Sequence, residues 1–123
     1  MIIKQIIGAK KVIMSLIQEK VSPKLSYKLV KFISKLEVEE NFYNSKCKEL
    51  IDKYGERDNE NKFIYSETGI KIKQDKLEEF QLKLDELDNI EVDKPDVVFT
   101  LDELDELKLS VADMYFLQDF IVE

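Results

Sequence analysis

A stretch of 31 residues, from Lys24 to Tyr54, contains neither glycine nor proline, the residues that most often interrupt a helix. Ser22 precedes it as a favoured N-cap residue, and Pro23 is tolerated at the first helical position because the N–H that it lacks would have no helical partner there. Gly55 follows at the place of a C′ glycine. The sequence therefore predicts one helix on the order of 45 Å long, which any fold of this chain must accommodate.

Apolar side chains recur along this predicted helix at spacings of three and four residues, which places them on one side. We call this line of residues the seam: Leu29, Leu36, Glu40, Tyr43, Cys47, Leu50 and Tyr54. Phe32 and Ile33 lie beside it. A seam of this length needs a partner helix, in the same chain or in another copy. Its residues are therefore the candidate oligomer contacts, and a homodimer through the long helix is one expectation.

Glu40 and Cys47 are the two unusual members of the seam. A polar residue in a coiled interface fixes register or oligomeric state. For Glu40, an exposed bend of the helix is favoured over such a role, and a catalytic role is the least favoured of the three. Cys47 is expected to pack as a small apolar residue and not to act as a nucleophile.

Shorter elements are predicted on both sides of the long helix. Residues 1–7 form a β-branched run that fits a strand or the start of a helix, and residues 9–20 carry apolar side chains at helical spacing. Residues 56–61 are polar and predict a loop. Two alternating runs, at 62–65 and 70–73, flank a turn that contains a glycine and predict a β-hairpin.

A third helix is predicted after the β-hairpin. Asp75 and Glu78 have the spacing of a capping box. Leu77, Phe80, Leu84 and Leu87 lie at spacings of three and four, and the helix is expected to end near Ile90. Residues 97–99 are apolar and predict a short strand.

Two short helices are predicted to close the chain. Thr100 with Glu103, and Ser110 with Asp113, each have the spacing of a capping box. The second of these helices is too apolar for a free tail. We expect it to dock on the base of the helical hairpin or on a second subunit.

Together these elements predict a mostly α (α+β) fold: a long antiparallel helical hairpin tipped by a short β-hairpin, with short terminal helices packed at its base. A single domain over residues 1–123 is expected. It comprises an N-terminal strand or helix at 1–21, the helix, β-hairpin and helix at 22–90, and an acidic C-terminal segment with short helices at 91–123.

The residue types that are missing exclude several kinds of chemistry. The chain has no histidine and one cysteine, which removes serine- and cysteine-type triads, His-ligated metal sites, internal disulfides and thiolate zinc clusters. Neither residues 58–60 nor residues 102–106 have the EF-hand pattern, and the chain has no glycine-rich phosphate loop. We therefore expect no enzyme activity, no metal and no cofactor.

Charge is unevenly distributed along the chain. Residues 1–36 hold eight lysines and one acidic residue, whereas residues 74–123 hold four lysines and sixteen acidic residues. The two ends can pair within the fold or present opposite patches to partners. The densest acidic cluster is Asp102, Glu103, Asp105 and Glu106. It is either a solvated helix face or a phosphate-mimicking patch that binds a basic surface of a partner.

A basic stretch covers the N-terminal third of the chain, with Tyr27 and Phe32 nearby. Its members are Lys10, Lys11, Lys20, Lys24, Lys28, Lys31 and Lys35. Lysines bind phosphates and aromatic rings stack on bases, so nucleic-acid or cyclic-nucleotide binding is conceivable. The single arginine and the net charge of −7 disfavour it, and pairing with the acidic half is the expected use of these lysines.

The order of the elements and several short motifs resembles small proteins from phages and prophages of Gram-positive bacteria, grouped as a domain of unknown function (number 1617). The likeness covers roughly residues 25–123. Its motifs are Lys53-Tyr54-Gly55, Lys62-Phe63-Ile64-Tyr65, Ile90-Glu91-Val92-Asp93-Lys94-Pro95, Leu101-Asp102-Glu103-Leu104 and Leu109-Ser110-Val111-Ala112-Asp113. The resemblance implies a phage or prophage context, and it carries no catalytic residues to transfer.

These features predict a non-enzymatic phage or prophage accessory protein that acts by binding, in the first place an inhibitor of a host defence component through surface complementarity. The alternatives are a tail or virion assembly protein and a protein that sequesters a nucleotide signal. The expected partner is a protein. No membrane contact is expected, because no apolar run approaches the roughly 20 residues of a span. The expected location is the host cytoplasm, with the virion as the alternative.

Overall fold

The computed structural model describes residues 1–122. Within this range the chain is mostly helical with two small sheets, which confirms the predicted mostly α (α+β) class. The helices are α1 (Ile3–Ser15), α2 (Pro23–Tyr54), α3 (Leu77–Asp88), α4 (Leu101–Leu104) and α5 (Val111–Leu117). The strands are β1 (Tyr65–Ser66), β2 (Gly69–Ile70), β3 (Phe99–Thr100) and β4 (Ile121–Val122). Single 3₁₀ turns cover Gln74–Lys76 and Gln118–Phe120.

Helix α2 begins at Pro23 and ends at Tyr54, as the sequence predicts. The Ser22 hydroxyl accepts a hydrogen bond from the Leu25 N–H at 3.3 Å, so the predicted N-cap is formed. Gly55 ends the helix, but its φ of −67° is not the left-handed conformation of a C′ glycine, so that part of the prediction is wrong. Glycine is needed for space, since a Cβ there would lie 2.6 Å from the Ile51 carbonyl oxygen and 2.8 Å from the Phe63 ring.

Helix α1 begins earlier than its clearest periodic signal, which starts at residue 9. The ambiguous run at residues 1–7 is almost entirely helical, because Ile3 and Ile6 become fully buried when that segment lies on the rest of the chain. Only Ile2 makes a β-bridge, with Glu91.

Helix α3 starts later than predicted, and its predicted capping box is wrong. The 3₁₀ turn occupies Gln74–Lys76, and the helix begins at Leu77 without a side-chain cap. The closing elements follow the sequence more closely, since both predicted capping boxes, at Thr100 and Ser110, are formed.

The β-hairpin lies at the far end of the α2–α3 pair. Tyr65 pairs with Ile70 and Ser66 with Gly69, whose φ of 124° requires a glycine. The second sheet differs from expectation. Strand β3 is shifted from residues 97–99 to Phe99–Thr100 and pairs in parallel with β4 at the end of the described chain.

Helices α2 and α3 run antiparallel, as shown by two contacts between them. The Tyr43 hydroxyl reaches Asp88, at the end of α3, and the Tyr54 ring reaches Phe80, near its start. We call residues 43–88 the arm: the distal part of α2, the β-hairpin and α3. The predicted helical hairpin is therefore present, with a return helix much shorter than α2.

The main core lies at the other end of α2, in a part that we call the base: α1, residues 23–36 and residues 99–122. Phe32 is fully buried there, with the rings of Phe99 and Phe120 at centroid distances of 5.1 and 4.9 Å. No buried member of this core cluster lies between residues 37 and 98. The terminal elements thus pack at the base of the hairpin, as predicted.

No helix within residues 1–122 combines the length and apolar character needed to cross a bilayer.

Candidate protein-binding surfaces

The seam of α2 faces other elements of the same chain. Leu36 is fully buried and Leu29 packs against the core, which α1 helps to form. Tyr54 is buried against Phe80 of α3, and Leu50 lines the groove between the two helices. The partner helices that the seam requires are therefore α1 along its first part and α3 along its second.

Glu40 pairs with a buried lysine. Its Oε1 lies 2.6 Å from Nζ of Lys10, whose side chain is almost completely buried at the α1–α2 contact, and Glu37 adds a second carboxylate at 4.0 Å. A buried ammonium group without a carboxylate is costly, so the pair favours one alignment of α1 on α2. Of the three explanations for Glu40, the geometry supports a role in register, here within a single chain.

Tyr43, Cys47 and Asp88 form a small polar cluster between α2 and α3. The Tyr43 hydroxyl donates to Asp88 Oδ1 at 2.6 Å. Burial raises the pKa of Tyr43 far above its usual range, and the hydrogen bond to Asp88 raises it further. Burial also raises the pKa of the Cys47 thiol. Cys47 is therefore protonated at neutral pH and poorly nucleophilic, which fits a packing role.

Two members of the predicted acidic cluster bind other residues of the same chain. Glu103 accepts hydrogen bonds from Lys28 Nζ at 2.8 and 3.0 Å, and this contact with Lys28 holds the pKa of its carboxyl below the usual range. Glu106 accepts hydrogen bonds from the N–H of Ser22 at 2.7 Å and from its hydroxyl at 2.9 Å. A carboxylate at this position also favours the start of α2, because the N-terminus of a helix carries partial positive charge.

The other two members of the cluster point away from the molecule. Asp102 and Asp105 are exposed, and neither makes an ion pair within residues 1–122. Further pairs join the basic and acidic ends of the chain, among them Lys35 with Asp96 at 2.8 Å. The charge asymmetry is thus partly neutralised internally, and half of the predicted patch remains for a partner.

An apolar surface includes Leu101, the residue before Asp102, and side chains of α5. We call it the C-terminal apolar surface, and its members are Leu101, Val111, Tyr115, Phe116 and Val122. All five are large apolar side chains with at least 43% of their area exposed, and Val111 reaches 89%. Two concavities flank Tyr115: one of about 430 Å³ beside Val111 and Leu101, and one of about 200 Å³ beside Phe116.

Local packing explains why this surface faces outward. Helix α5 buries Leu117, and Phe120 follows it into the core, so only one side of the segment is covered. Phe116 is held in place by Gly8 of α1, where a Cβ would come within 2.9 Å of the ring. The side of α5 that carries Val111 and Tyr115 is covered by no element within residues 1–122.

The sequence contains a signal for this surface. Residues 111–117 are apolar at every position except Asp113, and a short helix that lies on a domain can bury only one of its faces. Sequence reasoning predicted that α5 docks on the base of the helical hairpin or on a second subunit. Docking at the base is confirmed, but the prediction did not say which face of α5 stays exposed.

Several side chains of the basic stretch are occupied by contacts within the chain, which leaves fewer of them to bind a nucleic acid. Lys28, Lys31 and Lys35 line a shallow groove on α2, but Lys28 pairs with Glu103 and Lys35 with Asp96. Phe32 is fully buried and cannot stack on a base. These contacts give little support to nucleic-acid binding.

Within the described part of the chain, no group of three or more acidic or cysteine side chains is arranged to hold a metal ion. No family model, curated protein or solved structure matches the chain. The phage resemblance therefore remains a prediction from the motifs.

Proposed function

We propose that this chain is a non-catalytic binding protein whose C-terminal apolar surface contacts a protein partner. The observation that carries the proposal is the exposure of five large apolar side chains within residues 101–122, on a segment whose other face is buried in the core. Contiguous apolar patches with aromatic residues at their centre are typical of protein interfaces. Tyr115 and Phe116 are the central aromatic residues here, with ring centroids 5.6 Å apart.

The charges around this surface favour a basic partner. Asp102 follows Leu101 in the chain, and Asp119 lines the concavity beside Phe116. Residues 101–122 hold six acidic residues and one lysine, Lys108, so acidic groups predominate in this segment, although Lys4 lines the same concavity. We call these acidic groups beside the apolar surface its rim. An acidic rim accelerates association with a positively charged surface and makes the association rate sensitive to salt.

The resemblance to phage and prophage proteins gives the proposal its biological setting. We propose that the partner is a host defence protein and that the chain inhibits it by covering a basic surface with an apolar centre. A role in tail or virion assembly is the alternative, in which the same surface binds other phage proteins. Sequestration of a nucleotide has less support, since the lysine groove on α2 is shallow and partly neutralised.

A pull-down from host lysate at low and high salt tests the proposal when wild type is compared with Tyr115→Ser. We expect the captured partner to fall by about tenfold or more for Tyr115→Ser, as for a central aromatic residue of an interface. Tyr65→Ser is the matched control, because Tyr65 is equally exposed, at 72% against 68%, but lies on the β-hairpin. Equal capture by all three proteins would refute the assignment of the surface.

The role of the rim is tested separately by Asp102→Lys/Asp105→Lys. Both aspartates are exposed and unpaired within the described residues, so the exchange leaves the internal pair of Glu103 intact. We expect weaker capture at low salt and a smaller difference between low and high salt. Unchanged salt dependence would restrict the contact to the apolar centre. Identification of the captured protein by mass spectrometry separates a defence protein from a phage structural protein.

A further inference from the structure

Helix α2 carries a second apolar stripe on the side opposite to the seam. We call it the outer stripe; it consists of Tyr27, Val30, Val38 and Phe42, which are 68%, 60%, 68% and 42% exposed. At about 100° per residue, these positions fall within one face of the helix, turned half a revolution from Leu36 and Tyr54. Other elements of the chain cover the seam, whereas within residues 1–122 Tyr27, Val30 and Val38 remain mostly exposed. Phe42, at the end of the stripe, also lines the groove towards Leu87 and Ile90.

The spacing of the outer stripe is nearly symmetrical about Ser34. Tyr27 and Val30 precede Ser34 by seven and four residues, and Val38 and Phe42 follow it by four and eight. Ser34 is small and exposed, and its hydroxyl donates to the Val30 carbonyl oxygen at 3.0 Å. Its polar group therefore keeps a partner inside the helix even where a second helix excludes water.

We propose that the outer stripe binds a second copy of this chain, with the two α2 helices antiparallel and the two-fold axis passing at Ser34. A two-fold contact uses the same surface on both subunits, which the symmetrical spacing satisfies. Val30 then packs against Val38 of the partner subunit, and Tyr27 lies next to Phe42 of the partner subunit. The small side chain at the crossing point lets the helices approach closely.

Charge selects the antiparallel orientation. Residues 23–36 of α2 hold four lysines and no acidic residue, whereas residues 37–54 hold five acidic residues and three lysines. An antiparallel pair places the basic half of one helix beside the acidic half of the other. Lys28 and Lys35 are already paired with Glu103 and Asp96, so a parallel pair would place the two lysines without an ion pair within residues 1–122, Lys24 and Lys31, beside their own copies, which is unfavourable for like charges along adjacent helices.

The size of the outer stripe limits the strength of the contact. Four apolar side chains per subunit, spread over about 22 Å of helix, lie at the low end of specific interfaces. We therefore expect a dimer that depends on protein concentration, with a Kd between about 1 µM and 1 mM. This surface is separate from the C-terminal apolar surface, so partner binding and self-association can be tested independently.

Cysteine cross-linking tests the geometry, in the full chain with Cys47→Ala to remove the native thiol. Ser34→Cys places two thiols at the two-fold axis. Ser45→Cys is the matched control on the same face, also exposed, but its two copies would lie about 33 Å apart in the antiparallel dimer. A disulfide needs Cα atoms within about 7 Å, so Ser34→Cys is expected to cross-link and Ser45→Cys is not. Equal cross-linking of both would show a parallel pair and overturn the proposal, as would cross-linking of neither.

A second variant measures the contact without cysteine chemistry. Val38→Asp puts a charge at the centre of the outer stripe, twice per dimer, on an exposed position where folding is not at risk. Light scattering should show the mass of wild type rising with concentration and the mass of Val38→Asp remaining that of a monomer. Val111→Asp, on the C-terminal apolar surface, should behave as wild type. If Val111→Asp rather than Val38→Asp abolished the rise, the C-terminal surface and not α2 would mediate self-association.

Discussion

Lys10 is a charged side chain held in the interior, 6% exposed, where α1 meets α2. Its ammonium group depends on Glu40 at 2.6 Å, because Glu37 is farther away, at 4.0 Å. Removing one partner of a buried pair leaves a charge without compensation. We expect Glu40→Ala to lower the free energy of unfolding by about 2 to 3 kcal/mol, measured by urea denaturation.

Two controls separate the burial of this charge from helix propensity. Glu49→Ala removes an exposed carboxylate of the same helix, paired with Lys46 at 3.3 Å, and should cost less than about 0.5 kcal/mol. The double variant Lys10→Met/Glu40→Leu replaces the pair by apolar groups and should lie within about 1 kcal/mol of wild type. If Glu40→Ala costs no more than Glu49→Ala, the pair does not hold α1 in register.

Two tyrosines of α2 differ in how their hydroxyls are satisfied. The Tyr43 hydroxyl donates to Asp88, whereas the buried Tyr54 hydroxyl has no hydrogen-bond partner within residues 1–122. Tyr43→Phe should therefore cost about 1 to 2 kcal/mol, since it leaves a carboxylate without its donor. Tyr54→Phe should be neutral or should raise stability by up to about 1 kcal/mol. Equal losses in urea denaturation would contradict this difference.

At the scale of elements, short sequence motifs predicted the helix ends that are set by nearby side chains. The start of α2 and the capping boxes at Thr100 and Ser110 depend on side chains that bond the backbone three residues away, and all three were predicted. The start of α1 could not be predicted, because Ile3 becomes helical by burial against distant residues. The spacing of Asp75 and Glu78 matched a capping box, but the turn that leaves the β-hairpin is 3₁₀.

The contact between α4 and α2 predicts a dependence of stability on pH. The Lys28 ammonium group holds the pKa of Glu103 below its ordinary value of 4.5 in the folded chain. A lowered pKa means that this carboxylate stabilises the fold above pH 4.5 and that its contribution is lost as the pH falls through 4.5 towards the folded pKa. We expect Glu103→Gln to flatten the fall of stability in this window, followed by urea denaturation at several pH values. An equally flattened fall in Asp102→Asn, at an exposed neighbour without an ion pair in the described chain, would contradict the assignment to the contact between Lys28 and Glu103.

At the scale of the whole molecule, the sequence predicted that the seam needs a partner helix, but it left open whether another copy supplies that helix and it did not show which faces stay free. The seam predicted a helix partner because its spacing is regular over the length of α2. The two outward surfaces were missed for different reasons. Val38 and its neighbours are too few per turn to stand out beside the seam, and Tyr115 lies on a helix that is apolar on nearly every side. Only the positions of the other elements show which apolar residues remain uncovered.

Burial is also uneven between the two ends of α2. Phe32 and Leu36 belong to the core of the base, whereas the buried apolar side chains of the arm are Tyr54 and Leu87. Regions with few buried apolar contacts open at lower free energy than the core around them. Although a single domain over residues 1–123 is expected, this uneven burial predicts that the arm opens more readily than the base. The base should unfold as one cooperative unit.

Native-state hydrogen exchange tests this gradient within one continuous helix. Amides of residues 46–52 and of residues 29–36 have the same helical hydrogen bonds and differ in the packing beneath them. We expect the distal amides to exchange at least about tenfold faster, through partial opening of the arm. Low concentrations of urea should accelerate the proximal amides more steeply, because only global unfolding exposes them. Equal protection along α2 would instead mean that the contacts between α2 and α3, with Tyr43–Asp88 and Tyr54–Phe80, couple the arm fully to the base.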